Sequence, residues 1–211
     1  MVQFSNPLER WNSRFSQDAY LFGEEPNRYL VRQAHRLHRA AKTLSVADGE
    51  GRNSVWLAAQ GHQVTAFDFS APAVAKARLL AERHRVSVDW RCCDWLDFDW
   101  QAGEYDNVVG IFFQFVDPER RQVLFDKMVA SLKPSGVLLI QGYHIDQLQF
   151  NTGGPGVLDH LYTPELMREA LPGVSIEDLQ VYQDVLQEGS GHCGMSALLG
   201  YVGVKKPVSG G

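Results

Sequence analysis

Leu44-Ser45-Val46-Ala47-Asp48-Gly49-Glu50-Gly51-Arg52-Asn53-Ser54-Val55-Trp56-Leu57 reads as a short buried strand, a tight glycine turn and the start of a helix. Ser45 and Val46 end the strand. Gly49 and Gly51 carry no Cβ, so the chain can reverse there and its backbone can approach a ligand closely. Val55, Trp56, Ala58 and Ala59 give the following helix an apolar face for a sheet. A strand-turn-helix of this kind aims free backbone N–H groups at a polar ligand. Further on, Gln63-Val64-Thr65-Ala66-Phe67-Asp68 reads as a second strand that ends in a carboxylate. An acid in that place accepts hydrogen bonds from both hydroxyls of a ribose, so the glycine turn and Asp68 together imply a nucleoside-containing cofactor.

Two cofactor classes share that logic. Nicotinamide and flavin dinucleotides want Gly-x-Gly-x-x-Gly, whose third glycine lets helix and strand pack closely beneath a pyrophosphate. Here the run is Ala47-x-Gly49-x-Gly51 followed by Arg52, Asn53 and Ser54, without the downstream glycine. A small-x-Gly-x-Gly turn followed by Arg-Asn resembles motif I of the class I methyltransferases that use S-adenosylmethionine. That family usually shows Asp-x-Gly-x-Gly-x-Gly. This chain departs from it at Ser45, where an acid is common, and at Ala47, which replaces the first glycine and is expected to keep a negative φ. Asp48 is a possible substitute for the missing acid.

The whole chain sets bounds. Its 211 residues suit one α/β domain over residues 1–211, with 1–30 an N-terminal arm or lid and 207–211 a flexible tail. A net charge of −5 gives no support to a nucleic-acid substrate on a basic face. Cys92, Cys93 and Cys193 match no zinc spacing, so no metal is expected, and they suggest a reduced cytoplasmic protein. Met1 to Glu9 lacks the basic-then-apolar pattern of a secretory signal. No apolar run approaches the roughly 20 residues of a membrane span. The partner expected is a small-molecule substrate, with no nucleic acid and no membrane. No oligomeric state is implied.

In chain order, the aromatic segment Trp11 to Asn27 is broken by Gly23 and Pro26. Asn27 is an N-cap candidate for a helix over Arg28 to Lys42, with His35 and His38 in water. Ser70 caps a helix over Ala71 to His84. Val86 to Arg91 is a third strand, and Tyr105 to Phe112 a fourth. Pro118 to Leu132 is a helix, Lys133-Pro134-Ser135-Gly136 a turn, and Val137 to Gln141 a fifth strand. Gly142 to His160 is rich in glycine and is expected to form a mobile rim. Thr163 caps a helix over Pro164 to Ala170. Ile176 to Gln187 and Ser196 to Lys205 are two strands joined by Glu188 to Gly194, a hairpin with a flexible tip. The fold expected is a three-layer, doubly wound α/β structure. Its seven-stranded sheet is mostly parallel and ends in an antiparallel hairpin.

The Trp, Arg, Tyr and Phe-Gly-x-x-Pro-Asn residues of the arm, and Glu-Gly-x-x-His-x-Gly at the hairpin, resemble small-molecule methyltransferases of the tellurite-resistance type. The broader resemblance extends to the thiopurine type. It implies S-adenosyl-L-methionine held by Arg14, Tyr20, Ala47, Asp48, Gly49, Gly51, Asn53, Asp68, Phe69, Asp94, Trp95 and Ile111. Arg14 is implied for the cofactor's carboxylate, and Asp94 and Trp95 for its adenine. The substrate pocket is expected among Phe113, Gln114, Tyr143, His144, His160 and His192. No residue is singled out as catalytic, although the three histidines are candidates for a base. Amino-directed methyltransferases often carry Asn-Pro-Pro-Tyr or Asp-Pro-Pro-Tyr after the fourth strand, and Phe113-Gln114-Phe115 lacks it. The rim around Tyr143, His144, His160 and His192 reads as polar but not basic, which favours a thiol, a metalloid oxyanion or a small organic nucleophile. A cofactor-binding domain without catalysis, and a nicotinamide-dependent oxidoreductase, are the alternatives.

Overall fold

The computed structural model describes residues 6–150 and 152–207. Seven strands form one sheet: β1 (Lys42–Val46), β2 (Gln63–Asp68), β3 (Asp89–Cys92), β4 (Tyr105–Ile111), β5 (Leu132–Tyr143), β6 (Val174–Glu188) and β7 (His192–Lys205). Their order is β3-β2-β1-β4-β5-β7-β6. The first five pair in parallel, and β7 runs antiparallel to both β5 and β6. Six helices flank the sheet: α1 (Pro7–Phe15), α2 (Arg28–Gln33), α3 (Arg52–Ala59), α4 (Ala71–His84), α5 (Pro118–Ser131) and α6 (Pro164–Ala170). This is the expected doubly wound fold with its antiparallel hairpin.

Period-two alternation divides the core. Leu44, Val46, Val108, Leu138 and Ile140 face a layer with Leu124, Phe125 and Met128 of α5 and Met167 of α6. Val109, Ile111, Val137 and Leu139 face the other layer with Tyr29 and Leu30 of α2 and Leu57 of α3. Both faces of the central strands are therefore dry. The order reverses beside β1, so the carboxyl ends of β1 and β4 open a crevice at the switch point.

Local caps follow the expectations. Asn27, Ser70 and Thr163 accept from the backbone N–H groups of Leu30, Ala73 and Leu166. Elsewhere tertiary pairing overrides local pattern. The helix expected to reach Lys42 is α helix only to Gln33 and ends in a 3₁₀ turn at Arg36, because Lys42 and Thr43 are taken up in register with Gln63 and Val64. The third strand begins at Asp89 rather than Val86, since the Val86 N–H folds back onto the Ala81 carbonyl to close α4. Strand β5 starts at Leu132, with the Pro-Ser-Gly turn looped out of the ladder between Leu132 and Val137.

The largest difference is at the hairpin. Glu188 pairs with His192 in the ladder, so only Gly189-Ser190-Gly191 turn the chain. That tip is docked: the Gly191 N–H donates to the Leu21 carbonyl at 2.8 Å. The glycine-rich stretch after β5 is also stapled. The Gln147 amide donates to Thr152 Oγ1 and the Gly153 carbonyl, and accepts from the Ala197 N–H. The tail from Val208 and the first five residues fall outside the described range.

Candidate active site

One cavity of about 780 Å³ occupies the crevice. Its floor is the β1–α3 turn. The Asp48 N–H donates to the Phe67 carbonyl, which fixes the turn against β2. Gly49 has φ +62 and Gly51 φ +91, both left-handed conformations that favour glycine. A Cβ on Gly51 would lie 2.7 Å from that of Ala77. The second glycine therefore serves close approach of α3 to α4 rather than ligand contact, and it does not line the cavity.

Ala47 differs from the sequence expectation. Its φ is +49, not negative, so it occupies the left-handed conformation its glycine counterpart would hold freely. That conformation costs a non-glycine residue roughly 1–2 kcal/mol, partly offset by the extra chain entropy a glycine loses. Ala47→Gly should therefore stabilise the protein by about 0.5–1 kcal/mol, read as a higher urea midpoint with an unchanged slope.

The acid missing at Ser45 is regained from three residues on. Ser45 Oγ donates to Asp48 Oδ1 at 2.6 Å and Ser54 Oγ donates to Asp48 Oδ2 at 2.5 Å. Burial raises the Asp48 pKa against these hydrogen bonds. Ser54 stands where a dinucleotide motif has its third glycine, and its hydroxyl is committed to the loop.

Asp68 ends β2, is 5% exposed and lines the cavity. Its Oδ2 accepts from the Gly49 N–H and its Oδ1 from the Ser70 N–H, each at 2.9 Å. A carboxylate offers about four acceptor positions, so these two bonds leave about two for a ligand. Burial pushes its pKa up to about 6, with the charges of Asp48 and Glu50 adding to the rise and the two N–H donors opposing it. Beyond β3, Asp94 Oδ1 caps a turn by accepting from the Leu96 N–H, and the side chain still lines the cavity beside Trp95.

Arg14, Ala47, Asp48, Gly49, Asn53, Asp68, Phe69, Asp94, Trp95 and Ile111 line this cavity, as do Phe113, Gln114, Tyr143, His160 and His192. Tyr20, Gly51 and His144 do not. The Tyr20 hydroxyl donates to the Lys76 carbonyl on α4. The His144 ring turns to Asp146. Gln114 lines the cavity with its amide already committed: it donates to the carbonyls of Tyr143 and His160 and accepts from the Tyr143 N–H. It holds the β5 end in place.

The sequence reading missed Phe112, Phe22, Arg52 and Glu188. Phe112 closes β4 at φ +54, a strained position of the kind that clusters at functional sites, and no local pattern announces it. Phe22, Phe112 and Tyr143 surround His192, with ring centroids 4.3, 4.3 and 5.6 Å away. His192 Nδ1 lies 3.4 Å from Glu188 Oε2, and Arg52 Nη2 donates to the same oxygen at 2.8 Å. Burial alone would raise the Glu188 pKa, but the His192 hydrogen bond and Arg52 charge outweigh it and hold the carboxyl at about 2. Glu188 is thus an acceptor only, and His192 Nδ1 must carry the proton. Burial depresses the His192 pKa, so the ring is neutral and Nε2 keeps its lone pair.

Arginines reach the cavity mouth from elements outside the segments around Tyr143, His144, His160 and His192 that the sequence reads as polar but not basic. Helix α1 folds over the cavity with Arg10, Trp11, Arg14 and Phe15 inward, and Arg120 of α5 also lines it. Arg14 lies over the Trp11 ring at 4.6 Å, and burial followed by the Arg10 charge lowers its pKa. Among the described residues no group of three or more His, Cys, Asp or Glu side chains gathers as a metal site, and no helix is long and apolar enough to cross a membrane.

Comparison with known proteins finds methyltransferases among those this chain resembles. Residues 43–136 match the family described as a methyltransferase domain. A carboxy-S-adenosyl-L-methionine synthase from Hydrogenovibrio crunogenus is 38% identical over 86 residues, 39% of this chain and 34% of its own length. A glycine/sarcosine N-methyltransferase from Halorhodospira halochloris is 30% identical over 161 residues, 72% of this chain and 52% of its own. The chain thus spans about a third and about half of the curated relatives it matches. NodS, an N-methyltransferase from Bradyrhizobium japonicum WM9 solved with S-adenosyl-L-homocysteine, superposes with a TM-score of 0.70 at 16% identity, over 95% of this chain and 99% of that one. The chain shares the fold of this solved methyltransferase, and its residues 43–136 match the methyltransferase domain family.

Proposed function

We propose that this chain is an S-adenosylmethionine-dependent methyltransferase acting on a small molecule, and that the described residues form one such domain. The observation that carries the reading is Asp68, a buried carboxylate pinned by two backbone N–H groups with about two acceptor positions left toward the cavity. Two ribose hydroxyls fit them. Asp94 would serve the adenine amino group, and Arg14, which has no carboxylate partner among the described residues, would take the amino-acid carboxylate. When bound, S-adenosylmethionine would supply an already activated methyl group. The protein then has to exclude water and align the acceptor. Phe22, Phe112 and Tyr143 do the first. His192 Nε2 would take the acceptor's proton, with Glu188 holding its tautomer. Three free cysteines are in keeping with a reduced, cytoplasmic setting. The relatedness to a glycine/sarcosine N-methyltransferase adds small amines to the thiols and organic acids worth assaying.

Calorimetric titration tests the cofactor. S-adenosylmethionine and S-adenosylhomocysteine should bind, and NAD should not, because Ser54 fills the third glycine position. Binding of NAD without response to the sulfonium would overturn the reading. A second expectation concerns closure. The arm from Leu21 to Asn27 is already tied down, through Leu21 N–H to Glu50 and Asn27 N–H to Asn53. Cofactor should therefore slow amide exchange in α1 and leave Leu21 to Asn27 nearly unchanged. Equal exchange of α1 with and without cofactor would make it a fixed cover.

A further inference from the structure

Resting on that reading, we infer that the acceptor carries a carboxylate set apart from its nucleophile, and that Arg10 and Arg120 bind that carboxylate at the cavity mouth. The argument is a matching of charges. Arg10 and Arg14 lie four residues apart on the cavity side of α1, an arrangement of like charges that weakens a helix. Neither has a carboxylate partner among the described residues, and the residues outside that range carry no acidic side chain. Yet the chain has five more acidic than basic side chains, and Arg52 and Arg83, by contrast, are each 2.8 Å from a glutamate. The cofactor brings one carboxylate, which Arg14 takes.

Arg10 remains, and Arg120 remains with it. Asp117 Oδ2 is 3.9 Å from the Arg120 guanidinium, a long contact between two exposed side chains, while Asp117 Oδ1 caps α5 at the Arg120 N–H. Arg10 and Arg120 thus both line the cavity, and this long, exposed contact is the only ion pair either makes among the described residues.

The position of the charge decides the kind of anion. Arg10 and Arg120 are exposed at the mouth, whereas His192 is 7% exposed among Phe22, Phe112 and Tyr143. A bare oxyanion holds nucleophile and charge on the same few atoms and cannot be at both ends. A short chain with a thiol or amine at one end and a carboxylate at the other can. The apolar wall between suits its methylene groups.

The test is calorimetry on the protein saturated with S-adenosylhomocysteine, using matched pairs: mercaptoacetate against mercaptoethanol, and sarcosine against methylaminoethanol. Each acid should bind about tenfold more tightly than its alcohol, the scale of a pair of charge-assisted contacts. That preference should collapse in Arg10→Gln/Arg120→Gln. Equal binding of acid and alcohol, absence of binding by either acid, or a preference that survives the double substitution would overturn the inference. So would selenite, the bare-oxyanion probe, binding more tightly than either acid. Failure of S-adenosylhomocysteine itself to bind would instead overturn the cofactor reading beneath it.

Discussion

Glu188→Ala is expected to destabilise the protein by about 3–5 kcal/mol, the usual result of stripping one partner from a buried ion pair. Glu188 and Arg52 have side chains only 6% and 7% exposed. Removing the carboxylate strands the guanidinium in a dry site where its Nη1 already lacks a partner. Asn27 Nδ2, which donates to Glu188 Oε1 at 3.0 Å, loses its acceptor as well. Three distant parts of the chain meet on this one side chain: the arm at Asn27, the motif helix at Arg52 and the hairpin at His192. The control is Arg52→Leu/Glu188→Leu, which removes both charges and should recover much of the loss, since apolar replacements of buried pairs are often near neutral. A single-substitution loss below about 1 kcal/mol in urea unfolding would show that the pair is not buried in solution. The pH sign follows from the depressed pKa. The carboxylate's contribution is complete above its unfolded value of 4.5 and is lost as pH falls through about 2.

What the sequence revealed and what it hid divide along contact range. The caps at Asn27, Ser70 and Thr163 were legible because a side chain and the N–H it bonds are three residues apart. Asp68 was legible because a strand end next to a glycine turn is a local pattern with one geometric outcome. The ion pair of Arg52 and Glu188 spans 136 residues, and nothing in either neighbourhood distinguishes it from two solvated charges. The hairpin tip was read as flexible from its glycines, whereas its order comes from docking on Leu21. Tyr20 and His144 sit in the right segments but point elsewhere, since a segment reading does not fix a side-chain direction, and Gly51 is taken up by packing against Ala77. Ala47 shows the remaining gap. A residue type suggests a backbone conformation, but the turn imposes one, and here the turn prevailed over the alanine. The arginines at the mouth were hidden for a similar reason, because Arg10 counts toward the cavity only once α1 folds over it.

Asp68→Ala is expected to weaken S-adenosylmethionine binding by about 1.5–3 kcal/mol, the range for hydrogen bonds to a charged group. The fold should survive. A carboxyl whose pKa is raised by burial is destabilising when ionised, so its removal takes away a desolvation cost along with the two N–H bonds. That separates the effect from the one at Glu188, where stability itself falls. The same raised pKa, about 6, predicts the pH profile of the wild-type protein. Ribose hydroxyls donate to the ionised carboxylate, so binding competes with protonation. Affinity should be flat above about pH 7 and fall by up to tenfold per pH unit below about 6, because there the ligand must first displace a proton. Asp68→Asn keeps the shape and one acceptor oxygen but has no titration. It should bind more weakly than wild type at neutral pH and show no such slope between pH 5 and 7 (roughly the window set by the shifted group). A wild-type affinity independent of pH across that window, or a slope that persists in Asp68→Asn, would place the ribose on some other group. The cavity has few to offer: Asp48 is committed to two serines, and Asp94 lies beyond the next strand.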